Sequence, residues 1–368
     1  MKDFNYWKKL HDGEDLEEFS KDEIGLLWLK TKSIIRKEFL PSFINKNSIA
    51  LKETSLAKQF IELFDFLCKN PVESHDILDV FIKEESLKQS ANLNSDQLVS
   101  ELYKLKNFDW GGDYQNSLDK YLVSHYVKTH KSYDNLISKF EIEINVAVQG
   151  YVLNSWYNHW SSILIEHIFK SHPNVLPTVG QIKGVDFFIN NIPFDLKVTY
   201  LPSKYIKTRR KEKGYPVELT FLKSKAKEAK IAFDKNAKDS DIFYEIVEKM
   251  KDRKDDYCNN VLNAIKNENL EILKEAQNNP KLLATWLYEN QGGMRFGSEN
   301  RLYLVLVDTD NFNNSWKLKR NLDLLSPNIL SYLDDFPNKK IEDLKVSFNF
   351  KGKPKTFNTL TDVIFVQK

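Results

Sequence analysis

Two short apolar runs, Val185-Asp-Phe-Phe-Ile189 and Ile192-Pro-Phe-Asp-Leu-Lys-Val-Thr-Tyr200, meet at Asn190-Asn191. Apolar runs joined by a two-residue Asn turn predict a β-hairpin. Each run carries an acid where a buried strand should hold none, Asp186 and Asp195, and Lys197 follows the second. Side chains on a strand alternate faces. Phe194, Leu196 and Val198 therefore point one way, and Asp195, Lys197 and Thr199 the other. On the first strand Val185, Phe187 and Ile189 share a face, with Asp186 and Phe188 opposite. The hairpin can place Asp186 beside Asp195 on one face.

Two carboxylates forced together repel, and one shifts its pKa upward. A hard divalent cation removes that cost, and Mg²⁺ is typically held by one or two carboxylates, waters and phosphate oxygens. A neighbouring ammonium orients a water or stabilises charge on a pentavalent phosphate. The layout suits metal-dependent phosphodiester hydrolysis. The bland alternative is a surface hairpin with an Asp195–Lys197 salt bridge. The dense apolar flanks argue against it.

The rest of the chain supplies a frame. Of its 368 residues, 41% are hydrophobic, enough for a sizeable core and for two domains or one core with a large extension. The first third reads as helical. Ser20-Lys-Asp-Glu23 is a capping box ahead of IGLLWLKTKSIIRKEFL. SLAKQFIELFDFLCKN, SHDILDVFIKEESLK and SDQLVSELYKLKNF follow as amphipathic helices, with a turn at Asp109-Trp-Gly-Gly-Asp113. A long helical pattern spans about residues 134 to 170, and HPNVLPTVGQIKG closes it. After the hairpin, residues 216–223 read as a third strand or an extended loop. Helical character returns from Asp241 to about Glu289. Arg301-Leu-Tyr-Leu-Val-Leu-Val-Asp308 is the clearest buried strand. LDLLSPNILSYLDDF predicts a helix, with Ser326-Pro327 as a candidate start. LKVSFNF and TDVIFVQK end the chain as strands. The second half thus predicts a sheet covered on both faces.

Glu166 lies near the end of the long helix, at the edge of its apolar stripe. Glu166, then Asp186, then Asp195-Leu196-Lys197, on a helix–strand–strand frame, resembles the PD-(D/E)xK nuclease superfamily over roughly residues 150–310. FDLKVTYLP also looks like the corresponding stretch of type II restriction endonucleases. One departure is Val185, where that family carries a proline before its first Asp. The resemblance implies an α/β (mixed α+β) fold: a restriction-endonuclease-like core with a central mixed sheet flanked by helices. That catalytic domain would occupy residues 136–368, after a helical N-terminal domain, 1–135, for DNA clamping or dimer contacts. It further implies Asp186 and Asp195 as metal ligands, the Leu196 carbonyl as a third, Lys197 as catalytic lysine and Glu166 as accessory acid. The cofactor would be Mg²⁺, with Mn²⁺ able to substitute. The substrate would be double-stranded DNA, cut by a homodimer. The other readings are a repair or mobile-element nuclease on the same core, and a non-catalytic nucleic-acid-binding protein that keeps a degenerate core.

A net charge of +2 neither supports nor excludes a polyanionic partner, so clustering decides. Lys204 to Lys213 is basic with a single acid and starts just after Lys197. Lys204, Lys207, Arg209 and Arg210 are therefore candidate DNA contacts, as are Arg295, Arg301 and Arg320. A solvated basic helix face explains the same run equally well. Arg295 lies in QGGMRFGSEN, which lacks the Gly-Lys-Ser/Thr ending of a phosphate-binding loop. No Walker sequence appears, so ATP is not expected. His159, His167 and His172 lack zinc-site spacing. Two distant cysteines form no disulfide framework and fit a reducing, cytoplasmic setting. No secretory signal and no apolar run of the roughly 18 residues a membrane span needs is visible.

Overall fold

A computed structural model of the chain describes residues 2–13, 15–91, 93–106, 118–237, 239–290, 299–350 and 354–368. The predicted turn at 109–113 lies outside them, as does Arg295. Helices come first: α1 (Phe4–Asp12), α2 (Glu23–Ile34), α3 (Leu40–Lys46), α4 (Leu56–Leu67), α5 (Pro71–Ser90), α6 (Ser95–Leu102), α7 (Leu118–Leu122), α8 (Tyr133–Ile137) and α9 (Asn145–Lys170). Asp22, not Ser20, caps α2: its Oδ1 accepts the Ile24 and Gly25 N–H groups at 3.0 and 3.1 Å.

Strands β1 (Val175–Ile182), β2 (Val185–Ile189) and β3 (Ile192–Tyr200) follow. The β2–β3 hairpin forms as the sequence predicts. Asn190 and Asn191 both hold positive φ, 48° and 62°, the twist a two-residue hairpin turn requires. Phe187 pairs with Phe194 and Ile189 with Ile192. Strand β1, hidden in the segment read as a closing loop, is the finding the sequence reading missed. It contains Pro177 and Gly180, residues that mark turns elsewhere. Pro177 is tolerated because β1 is a sheet edge, where a lost N–H breaks no outer ladder. Gly180 is needed because α2 crosses there: a Cβ at this position would sit 2.3 Å from the Ser33 carbonyl oxygen. Ser33 Oγ in turn accepts the Val179 N–H at 3.1 Å.

Five helices, α10 (Ser203–Glu212), α11 (Glu218–Glu228), α12 (Asp239–Arg253), α13 (Asp256–Asn278) and α14 (Pro280–Asn290), then lead to β4 (Arg301–Val307). Residues 218–228 are therefore helical, correcting the strand-or-loop expectation for 216–223: Leu222 and Ala226, one turn apart, are the buried pair. Helix α15 (Leu322–Asp335) starts at Leu322 and carries Pro327 inside it. Helix α16 (Ile341–Leu344), β5 (Lys345–Asn349) and β6 (Thr356–Gln367) complete the described elements.

The six strands form one mixed sheet in the order β1-β2-β3-β4-β6-β5. The β3–β4 and β4–β6 pairs are parallel, and the remaining pairs antiparallel. Alternation sorts the two faces. Leu302, Leu304 and Leu306 join Leu196, Phe194 and Phe187 under α9 and α15. Tyr303, Val305 and Val307 lie on the other face, against α10, α13 and α14. Both faces are thus covered, as expected. The N-terminal helices share a core with the sheet: Leu176, Val179 and Phe188 pack with Trp7, Leu27, Trp28 and Phe81. Because Asp186 shares a face with Phe188, and Asp195 pairs with Arg301, the two acids lie at the seam between the N-terminal helices and the α13–α14 layer. Among the described residues, no helix is long and apolar enough to cross a membrane.

Candidate functional site

The hairpin register brings the acids together. One step beyond the Phe187–Phe194 pair, Asp186 stands opposite Asp195, and there the ladder opens. In place of a ladder bond, Asp186 Oδ2 accepts the Leu196 N–H at 2.8 Å. A strand residue points its N–H and C=O toward the same neighbour. The Leu196 carbonyl therefore faces the same gap as the Asp186 carboxylate. Lys197 Nζ donates to Asp195 Oδ1 at 2.7 Å, so the salt bridge of the bland alternative is present. Its setting is not that of a surface hairpin: Asp195 is 6% exposed.

The electrostatics are those of acids pressed together. Burial first, then the Asp195 and Glu166 carboxylates, push the Asp186 carboxyl up from its ordinary 3.8 to about 6. The Leu196 N–H and Lys197 offset only part of this. Asp195 Oδ2 is buried with no hydrogen bond, and Arg301 Nε stands 3.6 Å from it. Arg301 is thus an ion-pair partner of that oxygen that does not donate to it, and the carboxylate's hydrogen-bonding capacity is left in part unused.

Glu166 reaches this group from α9. The helix is seated on the hairpin by Phe169, whose ring stacks on Phe187 with centroids 5.2 Å apart. Glu166 is bonded to Lys170 at 2.9 Å and lines a cavity of about 430 Å³ between α5, α9 and β1. It acts on Asp186 through charge.

A fourth acid escapes sequence reasoning. Glu299, just before β4, is 2% exposed, and burial followed by the Asp195 charge pushes its carboxyl up to about 7. Its only sequence signal is its place: an acid and Arg301 flank Asn300 at the mouth of the most apolar strand. Among the described residues, no three His, Cys, Asp or Glu side chains already form a metal-holding group. The Asp186 carboxylate and the Leu196 carbonyl share one gap, and the Asp195 carboxylate is near enough for its charge to act on Asp186. This is a hard, all-oxygen set that fits Mg²⁺ or Mn²⁺, with remaining positions for water and phosphate.

The basic candidates divide. Lys204 and Lys207 are exposed on α10. Arg209 is half-buried and paired with Glu212 and Glu275. Arg210 is buried, ion-paired with Glu268 at 2.5 Å, and donates to the Pro216 carbonyl. Arg320 is buried and donates to the Leu102 and Leu105 carbonyls at 2.8 and 2.9 Å. Arg210 and Arg320 therefore serve as internal struts, a correction to their expected place on a DNA-binding surface. Long side chains satisfied by helix-end and loop carbonyls explain why both lie inward. Arg301 belongs to the acid cluster rather than to an outer groove. Comparison with protein-family models, curated proteins and solved structures returns no match.

Proposed function

We propose that this chain is a divalent-metal-dependent nuclease with a restriction-endonuclease-like core, and that it cuts double-stranded DNA as a type II restriction enzyme does. The observation that carries the reading is the convergence of Asp186, Asp195, Leu196 and Lys197 where the hairpin ladder opens, with one buried Asp195 oxygen lacking a donor. The helix–strand–strand–strand order of α9, β1, β2 and β3, with β4 parallel to β3, agrees with that core.

In this reading Asp186, Asp195 and the Leu196 carbonyl hold Mg²⁺. Bound there, the ion supplies Lewis-acid activation of a water and neutralises phosphate charge. Asp186 has to be ionised to take part. Lys197 is the exposed member, with 43% of its side chain open to solvent. Its ammonium orients the attacking water and takes up charge on the scissile phosphate oxygens. Lys204 and Lys207 hold the flanking backbone phosphates. A homodimer would place two such sites on the two strands of a palindrome.

Incubation of phage DNA with the purified chain tests the reading. Cutting with Mg²⁺ and none with EDTA is expected, and discrete bands mark a short recognition sequence. End- or structure-dependent fragments would point to a repair nuclease. Intact DNA with both Mg²⁺ and Mn²⁺ would reject the proposal.

A further inference from the structure

The two oxygens of Asp195 have unlike surroundings. Oδ1 accepts from Lys197. Oδ2 is ion-paired with Arg301 Nε at 3.6 Å and accepts no hydrogen bond from it. Arg301 does not close the gap because other groups hold it. One terminal nitrogen donates to Glu299 Oε2 at 3.2 Å. The guanidinium also lies over the Tyr288 ring, 5.0 Å from its centroid. Tyr288 is fixed in turn, its hydroxyl donating to the Glu299 carbonyl at 2.8 Å and accepting the Arg301 N–H at 3.0 Å. Glu299 itself is wedged against the turn between β1 and β2. Gly184, at φ +74°, leaves the space: a Cβ there would lie 2.7 Å from Glu299 Oε1. Glu299 is thus a buried acid, built into place, whose carboxylate bonds Arg301.

We infer that Glu299 is a positioning residue that holds Arg301 at ion-pair distance from Asp195, short of a hydrogen bond, and so leaves Asp195 Oδ2 able to take a divalent cation in its place. The inference rests on the reading of Asp186 and Asp195 as metal ligands. A guanidinium and a metal ion compete for the same carboxylate oxygen, and a bonded Arg–carboxylate pair is among the stronger contacts a side chain makes. With Glu299 in place, Arg301 has an anion of its own. Without that charge, the nearest one is Asp195, and a small shift of the guanidinium closes the gap and blocks the ion.

Titration calorimetry with Mn²⁺ on the full chain, without DNA, tests this. Glu299→Gln keeps the shape and removes the charge, and its Mn²⁺ affinity should fall by about tenfold or more. Adding Arg301→Gln removes the competitor, and the double variant should return to within about threefold of wild type. Arg301→Gln alone should bind at least as tightly as wild type. A purely structural role for Glu299 would not be rescued by loss of its partner. Unchanged affinity in Glu299→Gln, or a double variant as weak as the single one, overturns the inference. Should Glu299→Gln fail to fold, Arg301→Gln decides, because weaker Mn²⁺ binding there is equally fatal. Wild-type binding without DNA cleavage leaves the inference standing and rejects the nuclease. Cleavage with an unaffected Glu299→Gln does the reverse, and no Mn²⁺ binding by wild type overturns both.

Discussion

The two ends of the β2–β3 hairpin each carry buried charge, and they are built differently. At the turn end, Lys30 of α2 is 1% exposed in its side chain and donates to Asp79 at 2.9 Å and to Asn191 Oδ1 at 3.0 Å. That charge is matched at short range: Asp79 Oδ1, though it accepts no hydrogen bond, lies 2.7 Å from Nζ, and Oδ2 lies 2.9 Å from it. At the open end, three carboxylates, Asp186, Asp195 and Glu299, share two cations, Lys197 and Arg301, and the Asp195 oxygen without a donor stands 3.6 Å from Arg301 Nε. A fold that needed only stability would close both ends alike, since unpaired buried polar atoms cost free energy. The contrast marks the turn end as a clamp between the N-terminal helices and the sheet. The open end is the acid cluster to which the proposed function assigns a cation.

That contrast breaks if the clamp is mutable and the open end is not. Lys30→Ala removes the counter-ion of partly exposed Asp79 and the donor to Asn191 Oδ1, and should destabilise the chain by about 1–3 kcal/mol in urea unfolding. Cleavage per folded molecule should stay at the wild-type rate. Lys197→Ala should act the other way, lowering the Mg²⁺-dependent cleavage rate by about 10²–10³-fold, with an unfolding midpoint close to wild type.

The pH response sharpens the comparison. In the unfolded chain Asp186 ionises near 3.8, and in the fold near 6. Its folded state therefore holds the proton more tightly. Without metal, the stability this acid contributes is present at low pH and is lost as pH rises from about 4 to about 6. Melting in EDTA across that window should show the decline, Asp186→Asn should flatten it, and Mg²⁺ should reverse it above pH 6 by binding the ionised form. Cleavage should rise through the same window.

Smaller effects follow. Gly184→Ala places a Cβ against Glu299 and imposes a left-handed backbone on a non-glycine residue, a cost of roughly 1–2 kcal/mol. It should also weaken Mn²⁺ binding, by displacing Glu299. Lys204→Ala and Lys207→Ala should each lower DNA affinity modestly and reduce the salt slope by about 1, measured by fluorescence anisotropy in Ca²⁺.

What was legible in the sequence was local. The Asn-Asn turn and period-2 alternation gave the hairpin, and the hairpin gave the Asp186–Asp195 pair with Lys197 beside it. The apolar run at 301–307 gave β4. What was hidden depended on a partner element. Gly180 reads as a turn former until α2 is seen to cross it, and Pro177 reads as a terminator until β1 is seen to be an edge. Residues 218–223 mix apolar and polar types too evenly for either period, and burial of Leu222 and Ala226 decides for helix. Arg210 and Arg320 look like surface cations because charge carries no record of which carbonyls will take it inward. Glu299 has no periodic signal and gains meaning only beside Gly184 and Arg301.

The central claim is that Asp186, Asp195 and the Leu196 carbonyl surround one divalent ion. An anomalous difference map from crystals soaked in Mn²⁺ tests it most directly. A single strong peak in contact with both carboxylates and the carbonyl is the expected result. A map with no density there, while Asp195 stays bonded to Lys197 and ion-paired with Arg301, would contradict it.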